Sequence, residues 1–246
     1  MNLTFNVNGL TVDAVYTESE VNALFLPLLK QLKDLYAGKG SRVIVYLAAP
    51  PGTGKTTLTL FLKYLHGQHD FPYTFQEISI DGFHHKRQYL MNTWISVDGE
   101  EMALNSVKGS PESFDLAGLK QRIEELAEKE TVEWPVYDRK LHDVSEEMVQ
   151  VDADIVLVEG NYLLLNEPGW TELKDTADLT IFIEAAEETL KPRLVERKMM
   201  GGLPKDQAEA FYKQSDRRNV LRVLKHSSGS DICWEMTADR TLLRKI

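Results

Sequence analysis

Apolar and polar positions along the chain change period repeatedly, and each change marks an element. Residues 3–7 and 10–15 alternate about Asn8-Gly9, a dipeptide suited to a type I′ turn, which predicts an opening β-hairpin. Thr17 and Glu20 then stand at capping-box spacing. Val21, Leu24, Phe25, Leu28, Leu29, Leu32 and Leu35 follow on one helical face, with Pro27 expected to kink or split the helix and Gly38 and Gly40 to end it. Residues 43–48 are continuously apolar, the pattern of a strand buried on both faces. Further strands are expected at 75–80, running into Asp81, and at 154–159, 179–184 and 231–236. Helices are expected at 55–65, 116–129 behind an Asp115 cap, 187–200 and 205–225. Residues 84–114 read as irregular, and 132–137 as a short extended excursion around Trp134-Pro135. Strands alternating with helices imply an α/β fold: three α/β/α layers around a mainly parallel five-stranded sheet, preceded by a hairpin and helix.

At 246 residues the chain can bury a sizeable core as one domain. Its 43% hydrophobic and 27% charged content is ordinary for a soluble globular protein, and no apolar segment approaches the roughly 20 residues of a membrane span. The first residues lack the basic start and apolar run of a signal peptide, so a cytoplasmic protein is expected. The net charge of −10 argues against general affinity for nucleic acid, and any phosphate site must therefore be locally positive. The single Cys233 is expected to be a buried, inert thiol.

The strongest chemical signal is VIVYLAAPPGTGKTT, residues 43–57. An apolar strand turns through a Gly-Pro loop into a helix opening at Lys55. Gly52 and Gly54 permit the sharp turn, and successive amides at the positive end of the helix dipole suit an anion. Pro51, Gly52, Thr53, Gly54, Lys55, Thr56 and Thr57 are the expected nucleotide-binding residues, Lys55 reaching terminal phosphates and Thr56 a Mg²⁺ ion. The pattern GxxxxGK[ST] has Ala49 where its first glycine should be.

Ligands of open parallel sheets gather at the carboxyl ends of strands. Two acidic residues fall there. Asp81 follows an apolar strand and could accept a proton from an incoming hydroxyl, while Glu159 ends IVLV and suits a Mg²⁺ contact. The bland reading of each is a turn carboxylate, and their shared strand-end position makes the two functional readings stronger together than separately. The histidines His84, His85 and His142 lack the Cys or second close His pair that would complete a structural zinc site.

LAAPPGTGKTT, SIDGFH, KGSPESFD, PVYDRKLHD and VEGNYLLL occur in an order that resembles the uridine kinase, phosphoribulokinase and bacterial pantothenate kinase family, over residues 42–236. KGSPESFD and RKMMGGLPKDQAEAFYKQSDRRN look most like its nucleoside-kinase-like and candidate fructose-kinase branch. The resemblance implies a P-loop NTPase fold and an ATP- and Mg²⁺-dependent kinase acting on a hydroxyl of a small metabolite. Uridine, pantothenate, a sugar and a sugar phosphate are all candidates for that acceptor. Asp81 matches the residue that activates the hydroxyl, Tyr137 and His142 the lining of the acceptor pocket, and Glu159 the carboxylate near the metal. Arg193 and Arg197 resemble lid arginines, four residues apart on one helix face, in a lid near 187–203. Asp216 and Asn219 match a D-x-x-N signature, read equally as capping, solvent exposure or substrate contact. Residues 1–40 then form an extension of the domain at 41–246. Neither a nucleic-acid nor a membrane partner is expected, and a homodimer is left as a possible state. A regulatory ATP-binding module or a P-loop hydrolase are the rivals; the guanine-selecting NKxD of GTPases is missing.

Overall fold

A computed structural model describes residues 1–7, 10–97, 99–138 and 141–245. β1 (Asn2–Val7) and β2 (Leu10–Val15) pair antiparallel from Asn2 opposite Val15 to Val7 opposite Leu10. The predicted turn at Asn8-Gly9 lies outside the described residues.

The Thr17 hydroxyl accepts from the Glu20 amide at 3.1 Å, and Glu20 Oε2 accepts from the Thr17 amide at 2.7 Å, completing the capping box over α1 (Glu18–Glu20). Glu20 is nonetheless buried, because its second oxygen accepts from the Leu242 amide at the far end of the chain, 2.9 Å away. Pro27 splits the helix as expected. It cannot donate to the carbonyl one turn back, and the chain widens into a π turn over Val21–Phe25 before α2 (Leu26–Lys39). α2 ends at Gly40, whose φ of 67° is the left-handed conformation that glycine adopts without strain.

β3 (Val43–Ala48) leads into α3 (Lys55–Gly67), and β4 (Phe75–Ser79) into a 3₁₀ turn at Ile80–Phe83. The segment read as irregular instead holds α4 (Arg87–Asn92) and a hairpin of β5 (Trp94–Val97) and β6 (Glu100–Ala103). Elements of four to six residues are too short to display a period. α5 (Leu116–Glu128) is capped by Asp115, whose side chain accepts from the Gly118 amide at 3.0 Å. The extended excursion is one arm of a second hairpin, β7 (Val132–Asp138) with β8 (Asp143–Val151), its register shifted between Pro135 and Tyr137. There follow β9 (Ile155–Gly160), β10 (Leu179–Ala185), α6 (Glu187–Met200) and α7 (Lys205–Phe211). A π turn at Tyr212–Asp216 separates α7 from α8 (Arg217–His226), which the sequence reading had joined. β11 (Ile232–Met236) and β12 (Leu242–Arg244) end the fold.

The central sheet has the order β12-β11-β10-β3-β9-β4. Five strands run parallel as expected; β12 is a sixth, antiparallel to β11 at the edge, and at three residues it is too short to announce itself. Strand alternation divides the core. Val43, Val45 and Leu47 of β3 pack with α2 and α3 on one face, and Ile44, Tyr46 and Ala48 with α5 and Trp134 on the other. Leu3, Phe5 and Tyr16 pack on the first face, and the Tyr16 ring lies 4.5 Å from that of Phe61. Among the described residues no helix is long and apolar enough to cross a membrane.

Candidate active site

The loop after β3 turns on two left-handed glycines, Gly52 at φ 91° and Gly54 at φ 90°. A Cβ on Gly54 would stand 3.2 Å from the Arg193 guanidinium, and one on Gly52 would stand 3.0 Å from Leu194, so both positions are closed to larger residues. Ala49 has no such constraint: it is fully buried, and its φ is not positive. The departure from the glycine pattern therefore costs the loop nothing in backbone freedom. The Thr53 hydroxyl donates to the Pro50 carbonyl at 3.0 Å and tightens the turn. Pro51 is buried, and Thr57 half-buried on the first turn of α3.

Lys55 opens α3 with only 8% of its surface exposed. Its ammonium donates to Asn161 Oδ1 at 2.6 Å and to the Ala49 and Pro50 carbonyls at 3.1 and 3.3 Å. Thr56 Oγ1 donates to Glu159 Oε1 at 2.8 Å, and Glu159 is buried. Sheet register brings them together, since Leu47 of β3 and Ser79 of β4 both lie opposite Glu159 of β9. Asn161, two residues beyond Glu159, was not singled out from the sequence, although it stands in the quoted VEGNYLLL.

Asp81 sits two residues past that register point, on the 3₁₀ turn, with its amide bonded to Ser79 Oγ at 3.2 Å. β7 presses against this turn: Trp134 Nε1 donates to the Ser79 carbonyl at 2.8 Å, and a Cβ on Gly82 would stand 2.0 Å from the Pro135 carbonyl oxygen. Gly82→Ala is thus expected to force the hairpin off the Asp81 turn, lowering stability by about 1–3 kcal/mol, as overpacking does elsewhere. A urea midpoint equal to wild type would show that the contact yields freely.

Tyr137 is linked to Asp81 through His84. The His84 ring meets the Asp81 carbonyl at 2.8 Å, and its centroid lies 3.9 Å from that of Phe114 and 5.4 Å from that of Tyr137. Lys108, from KGSPESFD, was another residue without an assigned role. Its ammonium lies 4.9 Å over the Tyr137 ring and donates to the His142 carbonyl at 2.8 Å. Burial lowers the Lys108 pKa, opposed by the negative charges of Asp143 and Asp81. His142 itself is exposed, at φ 53°, so it meets this cluster through its backbone carbonyl while its ring stands in solvent.

Arg193 lies on α6 and donates from Nε to the Gly52 carbonyl at 2.5 Å. Its burial lowers its pKa, as does Arg240 nearby, against the raising influence of Tyr16 and Glu196. Arg197, one turn on, is exposed. Asp216 and Asn219 are each only 7% exposed, which removes solvent exposure as a reading of that pair. Burial raises the Asp216 pKa, and the positive charges of Lys198 and Arg197 oppose it. Among the described residues no three acidic, Cys or His side chains form a metal-holding group. Thr56 and Glu159 supply hard oxygen donors of the kind that suits Mg²⁺, which usually keeps several waters and takes its remaining ligands from substrate phosphates.

A glycine loop between a central parallel strand and a buried-lysine helix, with a second carboxylate one strand away, defines the class: this is a P-loop kinase. The fold is shared with a solved structure from Silicibacter sp. TM1040 described as a candidate fructose transport system kinase, at TM-score 0.72 and 28% identity, covering 84% of this chain and 98% of that one. The chain belongs to the phosphoribulokinase / uridine kinase family, whose profile matches residues 44–200. It is 40% identical over 240 residues to the uncharacterized protein YggC of Escherichia coli (strain K12), 97% of each chain being covered. It is 27% identical over 158 residues to the uridine kinase of Lactobacillus helveticus (strain DPC 4571), covering 64% of this chain and 68% of that one.

Proposed function

We propose that the protein transfers the γ-phosphoryl group of ATP, with Mg²⁺, to a hydroxyl of a small metabolite such as a sugar, a nucleoside or a pantothenate-like alcohol. The observation that carries this reading is the position of Asp81 at the strand end beside Glu159, walled by His84, Tyr137 and Lys108. A module that only binds nucleotide has no use for a carboxylate there, and a hydrolase has no use for the aromatic wall.

Lys55 and the loop amides would hold the phosphates, and Thr56 and Glu159 the metal, which neutralises phosphate charge. Asp81 would take the acceptor's proton as that oxygen bonds to the γ-phosphorus and the bond to the β,γ-bridging oxygen breaks, the electron pair leaving with ADP. Tyr137 would line the acceptor pocket, and His142 would join it only if its ring swings inward from solvent. α6, near 187–203, would act as the lid, with Arg193 and Arg197 facing the transferring group. ADP release across a library of hydroxyl acceptors, with ATP and Mg²⁺, tests the reading. Release that no acceptor accelerates would favour a hydrolase, and nucleotide binding with no release a regulatory module.

The two arginines should separate. Arg193 braces the loop through the Gly52 carbonyl, so Arg193→Ala should weaken ATP binding and lower kcat together, each by about tenfold. Arg197→Ala should lower kcat with ATP affinity retained, and lysine at either position should rescue only in part, since it lacks the forked donor geometry. Wild-type turnover in all four variants would reduce the pair to a solvated helix face.

A further inference from the structure

The two residues that open α3 each find a partner at the end of β9. Thr56 donates to Glu159 Oε1 at 2.8 Å, and Lys55 donates to Asn161 Oδ1 at 2.6 Å, shorter than its bonds to the Ala49 and Pro50 carbonyls. The partners stand two residues apart, so they continue one side of the strand. They differ in charge. A carboxylate meets the hydroxyl that suits Mg²⁺, whereas a neutral amide meets the ammonium that suits phosphate.

Sheet register brings Asn161 to this place. Ala48 of β3 lies opposite Gly160 of β9, so the next residue on each strand, Ala49 and Asn161, leaves the sheet beside the other and accepts from the same ammonium. Asn161 is itself half-buried, and both flanks hold it. A Cβ on Gly160 would run into the Ile80 side chain, and Tyr162 is fully buried with its hydroxyl on the Gly109 carbonyl at 2.5 Å.

An ammonium has three donors and no acceptor, which fixes the amide with its carbonyl toward Lys55. That bond orients a cation without cancelling it. Aspartate at this position would orient the ammonium as well, but as an ion pair, and less of the positive charge would be left for a phosphate. Leucine would keep the bulk and supply no acceptor.

We infer that Asn161 is a positioning residue for nucleotide phosphate: acting through Lys55, it sets the direction of the ammonium and leaves its charge to the terminal phosphate. The inference rests on the phosphate-loop part of the reading above and needs no particular acceptor. Calorimetry on the full chain with Mg²⁺ tests it, the probes being the β,γ-imido analogue of ATP and ADP. The quantity read is the ratio of their dissociation constants, because a residue that acts on the terminal phosphate alters the triphosphate more than the diphosphate.

Asn161→Asp and Asn161→Leu are each expected to shift that ratio against the analogue by about tenfold, and Asn161→Gln, a neutral amide on a longer arm, to shift it less. Thermal melts identify the folded variants, and Asn161→Asp, the nearest in shape, carries the test if leucine disturbs the strand end. A ratio within twofold of wild type in Asn161→Asp overturns the inference. Equal weakening of both nucleotides gives that result too, and is what a general loosening of the loop produces. Acceptor-dependent ADP release by the wild-type chain separates this role from the transfer reading. A shifted ratio without such release keeps the role of Asn161 and sinks phosphoryl transfer, whereas an unshifted ratio beside such release sinks the role and keeps transfer. A wild-type chain that binds neither nucleotide sinks both.

Discussion

Lys55→Ala is expected to leave a folded protein that has lost acceptor-dependent ADP release by about 10³-fold or more. Lys55 is 8% exposed, yet its ammonium is spent on the loop carbonyls of Ala49 and Pro50 and on Asn161 Oδ1 rather than on the apolar core. Removing it deletes a cation fixed at the mouth of the loop by hydrogen bonds to Ala49, Pro50 and Asn161, where phosphate charge would gather. The glycine turns, the Thr53 bond to the Pro50 carbonyl and the packing of α3 through Leu58, Phe61 and Leu62 do not depend on it. Thermal unfolding should therefore stay within a few degrees of wild type, a shift of about 1 kcal/mol being the scale of a few degrees in a domain of this size. Acceptor-dependent turnover at the wild-type rate in a folded Lys55→Ala protein would sink the phosphate-loop assignment.

Asp81→Asn should keep nucleotide affinity and lose about 10²–10⁴ in kcat, because an amide cannot take the hydroxyl proton. The replacement is close to isosteric. The Asp81 turn is held by backbone and neighbours, through Ser79 Oγ on the amide, His84 on the carbonyl and β7 against Gly82, so the geometry should persist. The measurement is kcat beside the dissociation constant of an ATP analogue. Equal losses in the two would give Asp81 a binding role instead.

How much of this was legible in the sequence depends on the length of each signal. β3 announces itself because six consecutive buried residues serve two core faces, and the loop because its glycines and Lys55 have few other uses in that order. Asp81 and Glu159 were legible as strand ends; Glu159 accepts from Thr56 at the start of α3, and Asp81 lies two residues past Ser79, which stands opposite Glu159 in the sheet. β5, β6 and β12 were not, being three or four residues long, and the solvent-facing β8 shows no hydrophobic period. The break between α7 and α8 was hidden because a π turn preserves helical composition while shifting its phase. Lys108 and Asn161 stood inside quoted motifs, but their partners are a ring and a carbonyl from β7–β8 in one case and the loop lysine in the other. Contacts of that kind span dozens of positions and leave no local pattern. His142 was legible only through its motif: it stands exposed at φ 53°, and its backbone carbonyl accepts from Lys108, a contact that no sequence pattern signals.

The Glu20 carboxylate is shared between the first helical cap and the Leu242 amide, 222 residues downstream. During synthesis the cap can form as soon as Thr17 and Glu20 leave the ribosome, but the buried oxygen meets the Leu242 amide only after some 222 further residues have been made. The nascent chain must therefore carry an unfinished sheet border at β11, whose unpaired amides are a template for adhesion to other chains, until β12 emerges. A product stalled or clipped before β12 would lose the clasp between Glu20 and Leu242, and such fragments should be cleared or clump while chains that carry β12 stay dispersed.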